Sequence, residues 1–181
     1  LFWRAMTQPV SLTDPTALLR NRARAQSDAL FLQAAARDEV EDRLALVNKS
    51  FQAPGIVAAY PDLWQDYRAP AHLPPEAETL APAPGDHDLV IHRLGLHWAS
   101  DPVGQLIQCR RALRADGLLL ALALGGQTLH ELRACLAEAE AAVTGGLSPR
   151  VAPMAEVRDW GALLQRAGLA LPVADTVPFR A

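Results

Sequence analysis

Two apolar runs separated by a single helical segment constrain the fold of this chain most strongly. The runs are HDLVIHRL at 87–94 and LLLALAL at 118–124, and both are continuous, not alternating. Continuous runs of this length are typical of strands that are buried on both faces of a parallel sheet. Between them, Asp101-Pro102 predicts a helix start, and the helix is expected over 102–114. The pattern predicts a right-handed βαβ unit with adjacent, parallel strands.

Further elements are predicted on both sides of this unit. A strand is expected at Ile56–Tyr60, beside 89–94, and a last, proline-interrupted strand at 169–179, on an edge of the sheet. The other helices are expected at 15–26, about 29–49, 128–143 and 155–167. The predicted fold class is α/β, a truncated Rossmann-like single domain over 1–181, with a mainly parallel sheet of about four or five strands flanked by helices.

Composition excludes several classes of protein. Half of the residues are apolar and a fifth are charged, which is typical of a soluble globular protein. The net charge of −3 argues against nucleic-acid binding. No apolar stretch reaches the roughly 20 residues of a membrane span. Because the sequence has no signal-peptide pattern, we expect a bacterial cytoplasmic protein. Residues 1–10 fit no predicted helix or strand, and we interpret them as disordered or as foreign to the natural chain.

Metal-binding and thiol chemistry are not expected. Cys109 and Cys135 both fall within helical patterns, so we predict two reduced, mostly buried thiols. His87 and His92 lie five positions apart in one strand, which places them on opposite faces and argues against a shared metal. The sequence therefore predicts no metal site.

Several segments resemble one protein family. Residues 87–124 are similar to the fourth strand, following helix and fifth strand of class I S-adenosylmethionine-dependent methyltransferases, in which an Asp-Leu-Val strand leads through a Leu-Arg-x-Asp-Gly turn into an apolar strand. LGGQTLHELRACLAEAE and GGLSPRVAPMAEVRDWGALLQRAGL resemble alphaproteobacterial relatives of the mitochondrial complex I assembly factor of that fold, and LTDPTALLRNRARA is similar to their N-terminal helix. The resemblance covers residues 11–35 and 78–180 and implies a methyltransferase-like protein.

The cofactor-binding half departs from this family pattern. An adenosyl cofactor needs a glycine-rich turn after the first strand and a carboxylate after the next strand. Here Ile56–Tyr60 is followed by Pro61-Asp62, and seven prolines fall between Pro54 and Pro84. The proline-rich connection at 61–86 is shorter than the roughly 30 residues of one βαβ unit. We therefore predict that the first strand leads directly to the strand at 87–94 and that the half holding the adenosine is largely deleted.

Residues that follow the predicted strands are the candidates for a ligand or cofactor crevice, since parallel sheets bind ligands at the carboxyl ends of their strands. These residues are Tyr60, Gly95, His97, Trp98, Gly125, Gly126 and Thr128. His97 is a candidate for a general base, with packing beside Trp98 as the alternative role. Gly125-Gly126 permits close approach of a ligand, or forms a tight turn capped by Thr128.

Three functions remain open at this point. The first is a degenerate, non-catalytic protein that needs no cofactor and binds a protein partner through Arg158 and Asp159, in respiratory-complex assembly as the resemblance implies. The alternative is an active S-adenosylmethionine-dependent methyltransferase, or a hydroxylase, whose site is rebuilt by 61–86 or shared in a dimer. The third is a structural remnant that forms a homodimer through the edge of its shortened sheet.

Overall fold

The structure is a computed structural model of the 181-residue chain, and it describes residues 13–64, 71–73, 79–152 and 154–179. The chain forms two compact units, Leu1–Ala123 and Leu124–Ala181. The first unit holds three helices and four strands: α1 Pro15–Ala23, α2 Phe31–Ala45, β1 Pro54–Ala58, β2 Ala71–Leu73, β3 His87–Arg93, α3 Pro102–Ala112 and β4 Leu113–Leu122.

The four strands form one parallel sheet in the order β2-β1-β3-β4. Ile56 of β1 lies opposite Ile91 of β3, and Val90 of β3 lies opposite Leu119 of β4. The predicted βαβ unit is therefore confirmed, with α3 joining β3 to β4, and so is the position of the 56–60 strand beside β3. Four strands also agree with the expected number.

Helices cover both faces of this sheet. On one face, Ile56, Leu89 and Ile91 pack with Val40 and Leu44 of α2. On the other face, Val57 and Val90 pack with Cys109 and Ala112 of α3. Because β1 and β3 are buried on both sides, successive apolar residues alternate between the two clusters, which explains their continuous apolar sequence.

Local capping explains where the helices of this unit begin. The Asp101 carboxylate accepts a hydrogen bond from the Gly104 N–H at 2.8 Å, and Pro102 occupies the first turn of α3. Asp14 caps α1 in the same way, through the Ala17 N–H at 3.0 Å. The start at Asp101-Pro102 was predicted correctly. A short 3₁₀ turn at Ser27–Ala29 precedes α2, and Leu30 occupies the N-cap position of that helix.

The connection after β1 differs from the prediction. The three residues of β2 pair in parallel with β1, so β1 does not lead directly to β3 and its outer edge is covered. In the sequence β2 lies between Pro70 and Pro74. Proline disrupts pairing only where its own N–H is needed, so a three-residue edge strand fits between the two prolines.

The start and the burial of β4 also differ from the prediction. The strand begins at Leu113, and the irregular segment before Leu118 contains Asp116 in the left-handed region at φ 61°. The Lys49 ammonium donates to the Asp116 carboxylate at 2.8 Å and to its backbone oxygen at 2.5 Å, which holds this segment. Because β4 is the last strand of the sheet, residues 118–122 are at most half-buried, where full burial was expected.

The second unit contains helices α4 His130–Thr144 and α5 Val157–Arg166. Gly145 ends α4 in the left-handed region at φ 71°. The Glu140 carboxylate then accepts from the Ser148 N–H at 2.8 Å and from Arg150 at 2.7 Å, and so ties the following segment to α4. Residues 169–179 form no strand, and the predicted edge strand is wrong. Because Pro172 and Pro178 have no backbone N–H, two positions in this stretch cannot donate a hydrogen bond to a neighbouring strand.

Candidate functional site

The carboxyl ends of β1 and β3 form the edge at which a ligand site was predicted. After β1 the chain passes through the half-buried Tyr60 into a 3₁₀ turn at Pro61–Trp64, held by a Leu63 N–H to Tyr60 oxygen bond of 3.3 Å. This turn stands where a dinucleotide-like site would have a glycine-rich loop and a helix N-terminus. It carries Trp64, whose side chain is completely buried.

Arg93, the last residue of β3, is buried against this turn. Its side chain is 1% exposed, and its guanidinium carbon lies 4.6 Å from the centroid of the Trp64 ring. Arg37 of α2 lies 5.9 Å from the same ring centroid and donates to the Leu63 oxygen at 3.1 Å. Two guanidinium groups therefore contact one indole on the α2 face of the sheet.

The Arg93 side chain has an unusual electrostatic environment. None of its three nitrogen atoms has a hydrogen-bond partner among the described residues. Burial, and then the positive charge of Arg37, lower the pKa of Arg93 to about 10, so the group remains charged at neutral pH. A desolvated cation–π contact contributes about 2 kcal/mol, whereas removing an unpaired charged group from water costs at least several kcal/mol. The contact with Trp64 does not offset that cost.

The preceding residue, His92, is buried on the opposite face. Its Nε2–H donates to Oε1 of Gln105 on α3 at 2.9 Å, and its Nδ1 has no partner in the described part of the chain. Burial lowers the pKa of His92 to about 4, against the bond to Gln105, which raises it. His87, at the other end of β3, instead contacts the Ala53 oxygen at 3.1 Å. The two histidines thus contact different elements.

His97 and Trp98 follow β3 in a short 3₁₀ turn at Leu96–Trp98, next to the buried Gly95. Their rings are 5.0 Å apart and both are half-buried. Thr13, just before α1, donates to the Trp98 oxygen at 3.2 Å. Burial, together with the charges of Arg22 and His92, lowers the pKa of His97 to about 4. A general base works best with a pKa near the operating pH, so these observations favour the packing interpretation of His97.

Gly125, Gly126 and Thr128 lie in the second unit. Gly126 is pressed against the Glu156 carboxylate, where an added Cβ would collide with it, while the space around Gly125 is open. Thr128 does not cap α4: that position belongs to Leu129, at φ 53°, and the Thr128 N–H bonds to the Gly125 oxygen at 2.9 Å. Chain geometry at the turn, and not a side-chain cap, therefore begins α4. The predicted crevice that combines these residues with Tyr60, Gly95, His97 and Trp98 stays a prediction.

The predicted partner residues differ from each other in their surroundings. Asp159 belongs to a capping box at the start of α5, in which its carboxylate accepts from the Glu156 N–H at 3.3 Å. Arg158 is 92% exposed, with its Nε 4.0 Å from the Asp159 carboxylate. Asp159 therefore has a local structural role, whereas Arg158 is the more exposed of the two charges and lies within ion-pair distance of Asp159.

The two cysteines differ in their exposure to solvent. Cys109 is buried, but Cys135 is exposed, so the prediction of two buried thiols is wrong for Cys135. Its position on α4 follows the helical period, but the first turns of that helix are exposed on every side.

In the described ranges, no three His, Cys, Asp or Glu side chains are grouped so that they could hold a metal ion. No helix in these ranges is long and apolar enough to cross a bilayer.

Sequence reasoning missed Trp64, Arg93 and Gln105. A signal was present, since His92-Arg93 places two polar residues at the end of an otherwise apolar buried run. The direction of each side chain follows from strand alternation. Their contacts with Trp64 and Gln105 depend on tertiary packing.

Solved structures with a similar fold define the class of this protein. A SAM-dependent methyltransferase from Thermotoga maritima matches with a TM-score of 0.58 at 13% identity, covering 85% of this chain and 79% of that one. The methyltransferase bound to the Trm112 methyltransferase activator of Haloferax volcanii matches with a TM-score of 0.54 at 11% identity, covering 83% and 75%. The chain therefore has the Rossmann-like fold of class I methyltransferases.

Sequence relatives narrow this class. The chain is 43% identical over 89 residues to the mitochondrial arginine-hydroxylase NDUFAF5 of Mus musculus, covering 49% of this chain and 26% of the mouse protein. It is 39% identical over 108 residues to malonyl-(acyl-carrier protein) O-methyltransferase of Laribacter hongkongensis, covering 60% and 34%. No protein-family model matches. The chain is a methyltransferase-fold relative of NDUFAF5 and matches about a quarter to a third of the length of these two proteins.

Proposed function

We propose that this chain is a degenerate methyltransferase-fold protein that does not use S-adenosylmethionine and acts by binding another protein. The observation that carries the proposal is the turn after β1. The cofactor needs backbone N–H groups at a glycine-rich turn, whereas Pro61–Trp64 forms a 3₁₀ turn with one N–H fewer, because of Pro61, and with the buried Trp64 side chain. Trp64 and Arg93 fill the space beside the ends of β1 and β3.

Charge at this edge supports the same conclusion. S-adenosylmethionine carries a sulfonium cation next to the transferred methyl group. Arg93 and Arg37 place two guanidinium groups on the α2 face of the same edge, and like charges in a desolvated region repel strongly. A positive cofactor is therefore disfavoured here, even where its adenosine could be accommodated.

A protein-binding role is supported by the surface of the second unit. Nine of the twelve large hydrophobic side chains that are most exposed among the described residues belong to it: Leu129, Leu132, Val143, Leu147, Val157, Leu171, Val173, Val177 and Phe179. Exposed apolar side chains in this number commonly mark an interface. With Arg158 beside Val157, the second unit is the proposed partner surface, and the resemblance to the NDUFAF5 relatives suggests a partner from respiratory-complex assembly.

Calorimetric titration with S-adenosylmethionine and S-adenosylhomocysteine tests the first part of the proposal. We expect no heat of binding for either compound at protein concentrations of about 50 μM, which would detect a Kd of about 1 μM, or −8 kcal/mol. Arg93→Met is the informative variant, since it removes the buried positive charge. Micromolar binding of S-adenosylmethionine by the parent chain would refute the degenerate site.

The partner surface is tested separately, by co-purification of respiratory-complex subunits with the tagged chain. We expect Arg158→Glu with Leu132→Asp to reduce recovery of the partner, and Arg20→Glu, an exposed change on α1, to leave it unchanged. If the parent chain, the double variant and Arg20→Glu all recover the same amount of partner, the partner surface lies elsewhere.

One observation favours the alternative of an active S-adenosylmethionine-dependent methyltransferase. β2 pairs in parallel with the outer edge of β1, where an intact site has its second strand. In the sequence, Glu76 lies three positions after the end of β2, outside the described residues. Recognition of the cofactor ribose requires a carboxylate after the second strand. If the calorimetry shows binding, Glu76→Gln should weaken it by about tenfold or more, and Glu78→Gln serves as the matched control.

A further inference from the structure

We infer that Arg93 is the binding residue for a small oxyanion, a phosphate or carboxylate group, at the ends of β1 and β3. The observation is independent of whether S-adenosylmethionine binds. Arg93 is 1% exposed, and all three of its guanidinium nitrogens lack hydrogen-bond partners in the described ranges. Buried polar groups are nearly always hydrogen-bonded, so five unsatisfied N–H donors on one charged side chain require an acceptor.

The surrounding charges specify the sign and the shape of that acceptor. Arg37 lies 5.9 Å from the centroid of the same Trp64 ring and adds positive charge near Arg93 instead of balancing it. A guanidinium presents a planar fork that matches carboxylate and phosphate oxygens in a bidentate manner. The Trp64 ring centroid lies 4.6 Å from the guanidinium carbon and so covers one side of the group, without offering it a hydrogen-bond acceptor.

The site is formed by residues of one edge of the sheet. Arg93 lies opposite Ala58, the last residue of β1, and the Pro61–Trp64 turn begins three residues later. Because Arg93 is buried, we expect an anion to enter through local opening of this turn, which makes binding slow compared with diffusion.

Thermal unfolding of the whole chain tests this inference, with sodium phosphate and sodium malonate as probes and sodium chloride keeping the ionic strength constant. A ligand that binds only the folded state raises the Tm with the logarithm of its concentration above the Kd, and we expect a rise on the order of 5 °C at about a hundred times the Kd. Arg93→Met should abolish the rise. Arg110→Met, which removes an exposed arginine from α3, should keep it.

A second measurement keeps the test valid if Arg93→Met does not fold. In the parent chain labelled with ¹⁵N-arginine, the Arg93 Nε–H signal, assigned with Arg93→Lys, should shift saturably with phosphate. The inference is overturned if neither anion raises the Tm or moves this signal. Asp66→Asn, a change outside the described residues, separates one further case. The inference is also overturned if anions leave the Tm of the parent chain unchanged but raise the Tm of Asp66→Asn. The Arg93 guanidinium would then have an internal carboxylate partner.

Discussion

The Asp88 carboxylate fixes the start of β1: its Oδ1 accepts a hydrogen bond from the Ala53 N–H at 3.0 Å. Its Oδ2 accepts from the Gln52 N–H at 2.7 Å, so one side chain of β3 satisfies two successive backbone donors just before β1. Partial burial disfavours the charged form, but these two N–H groups and the positive charge of Arg114 outweigh it and hold the pKa of Asp88 below its usual range. This contact gives the Asp-Leu-Val pattern a structural reason.

Asp88→Asn should therefore destabilise the first unit by about 1 kcal/mol, because an amide cannot accept both bonds as strongly as a carboxylate. A pKa that is lower in the folded state stabilises the fold fully above the unfolded value, near pH 4. The contribution is lost as the pH falls through the folded pKa. Urea unfolding at pH 7 and pH 3 measures both effects, with the exposed Asp86→Asn as control. Equal loss for both variants at pH 7 would contradict the assignment.

The free energy of unfolding should fall on acidification because His92 is buried in its neutral form. Its folded pKa of about 4 lies below the ordinary value of 6.5, so the unfolded chain binds more protons between these values. Stability is therefore complete above pH 6.5 and falls as the pH drops toward 4, by an amount on the order of 3 kcal/mol.

Unfolding free energies at pH 7.0, 5.5 and 4.5 test this expectation. His92→Gln should lessen the pH dependence without removing it, because His97 also has a pKa of about 4, and His130→Gln, at an exposed position, should leave it unchanged. An unchanged slope in His92→Gln would assign the effect to other groups, with His97 the next to substitute.

A side chain at Gly126 should be tolerated only if the Glu156 side chain moves. Since a Cβ there would collide with the Glu156 carboxylate, the end of an exposed and flexible side chain, Gly126→Ala should destabilise the second unit by no more than about 1 kcal/mol, through the capping bond of Glu156. Gly125→Ala, in open space, should stay within about 0.5 kcal/mol of the parent. The double substitution Gly126→Ala with Glu156→Ala should recover part of the loss, as measured by a double-mutant cycle. Additive effects would show that the two residues do not interact.

The two thiols should react at very different rates. Cys135 is exposed, whereas Cys109 is fully buried and burial raises its pKa to about 12. Ellman's reagent should modify one thiol per chain rapidly at pH 8, and the second only after denaturant is added. Cys135→Ser should remove the rapid phase and Cys109→Ser should leave it. Two rapid thiols in the native chain would disprove the packing of Cys109 between β3 and α3.

Sequence alone predicted those features that depend on neighbouring residues. Asp101-Pro102 determines the start of α3 because the cap bonds lie three residues apart, and Gly168 ends the last helix in the left-handed region at φ 79°. The continuous apolar run around Leu89–Ile91 predicted a strand covered on both faces. Together these local signals, with the family resemblance, gave the parallel βαβ unit and the methyltransferase fold.

Tertiary structure decided what depends on distant partners. β2 exists because the edge of β1 offers hydrogen bonds to three residues between prolines, while residues 169–179 form no strand although their composition favours one. Burial of Arg93 against Trp64, 29 positions earlier in the chain, and exposure of Cys135 follow from packing that no local pattern encodes. Backbone caps and strand periodicity act within a few residues and can be read in sequence, whereas the surroundings of one side chain are fixed only when separate elements meet.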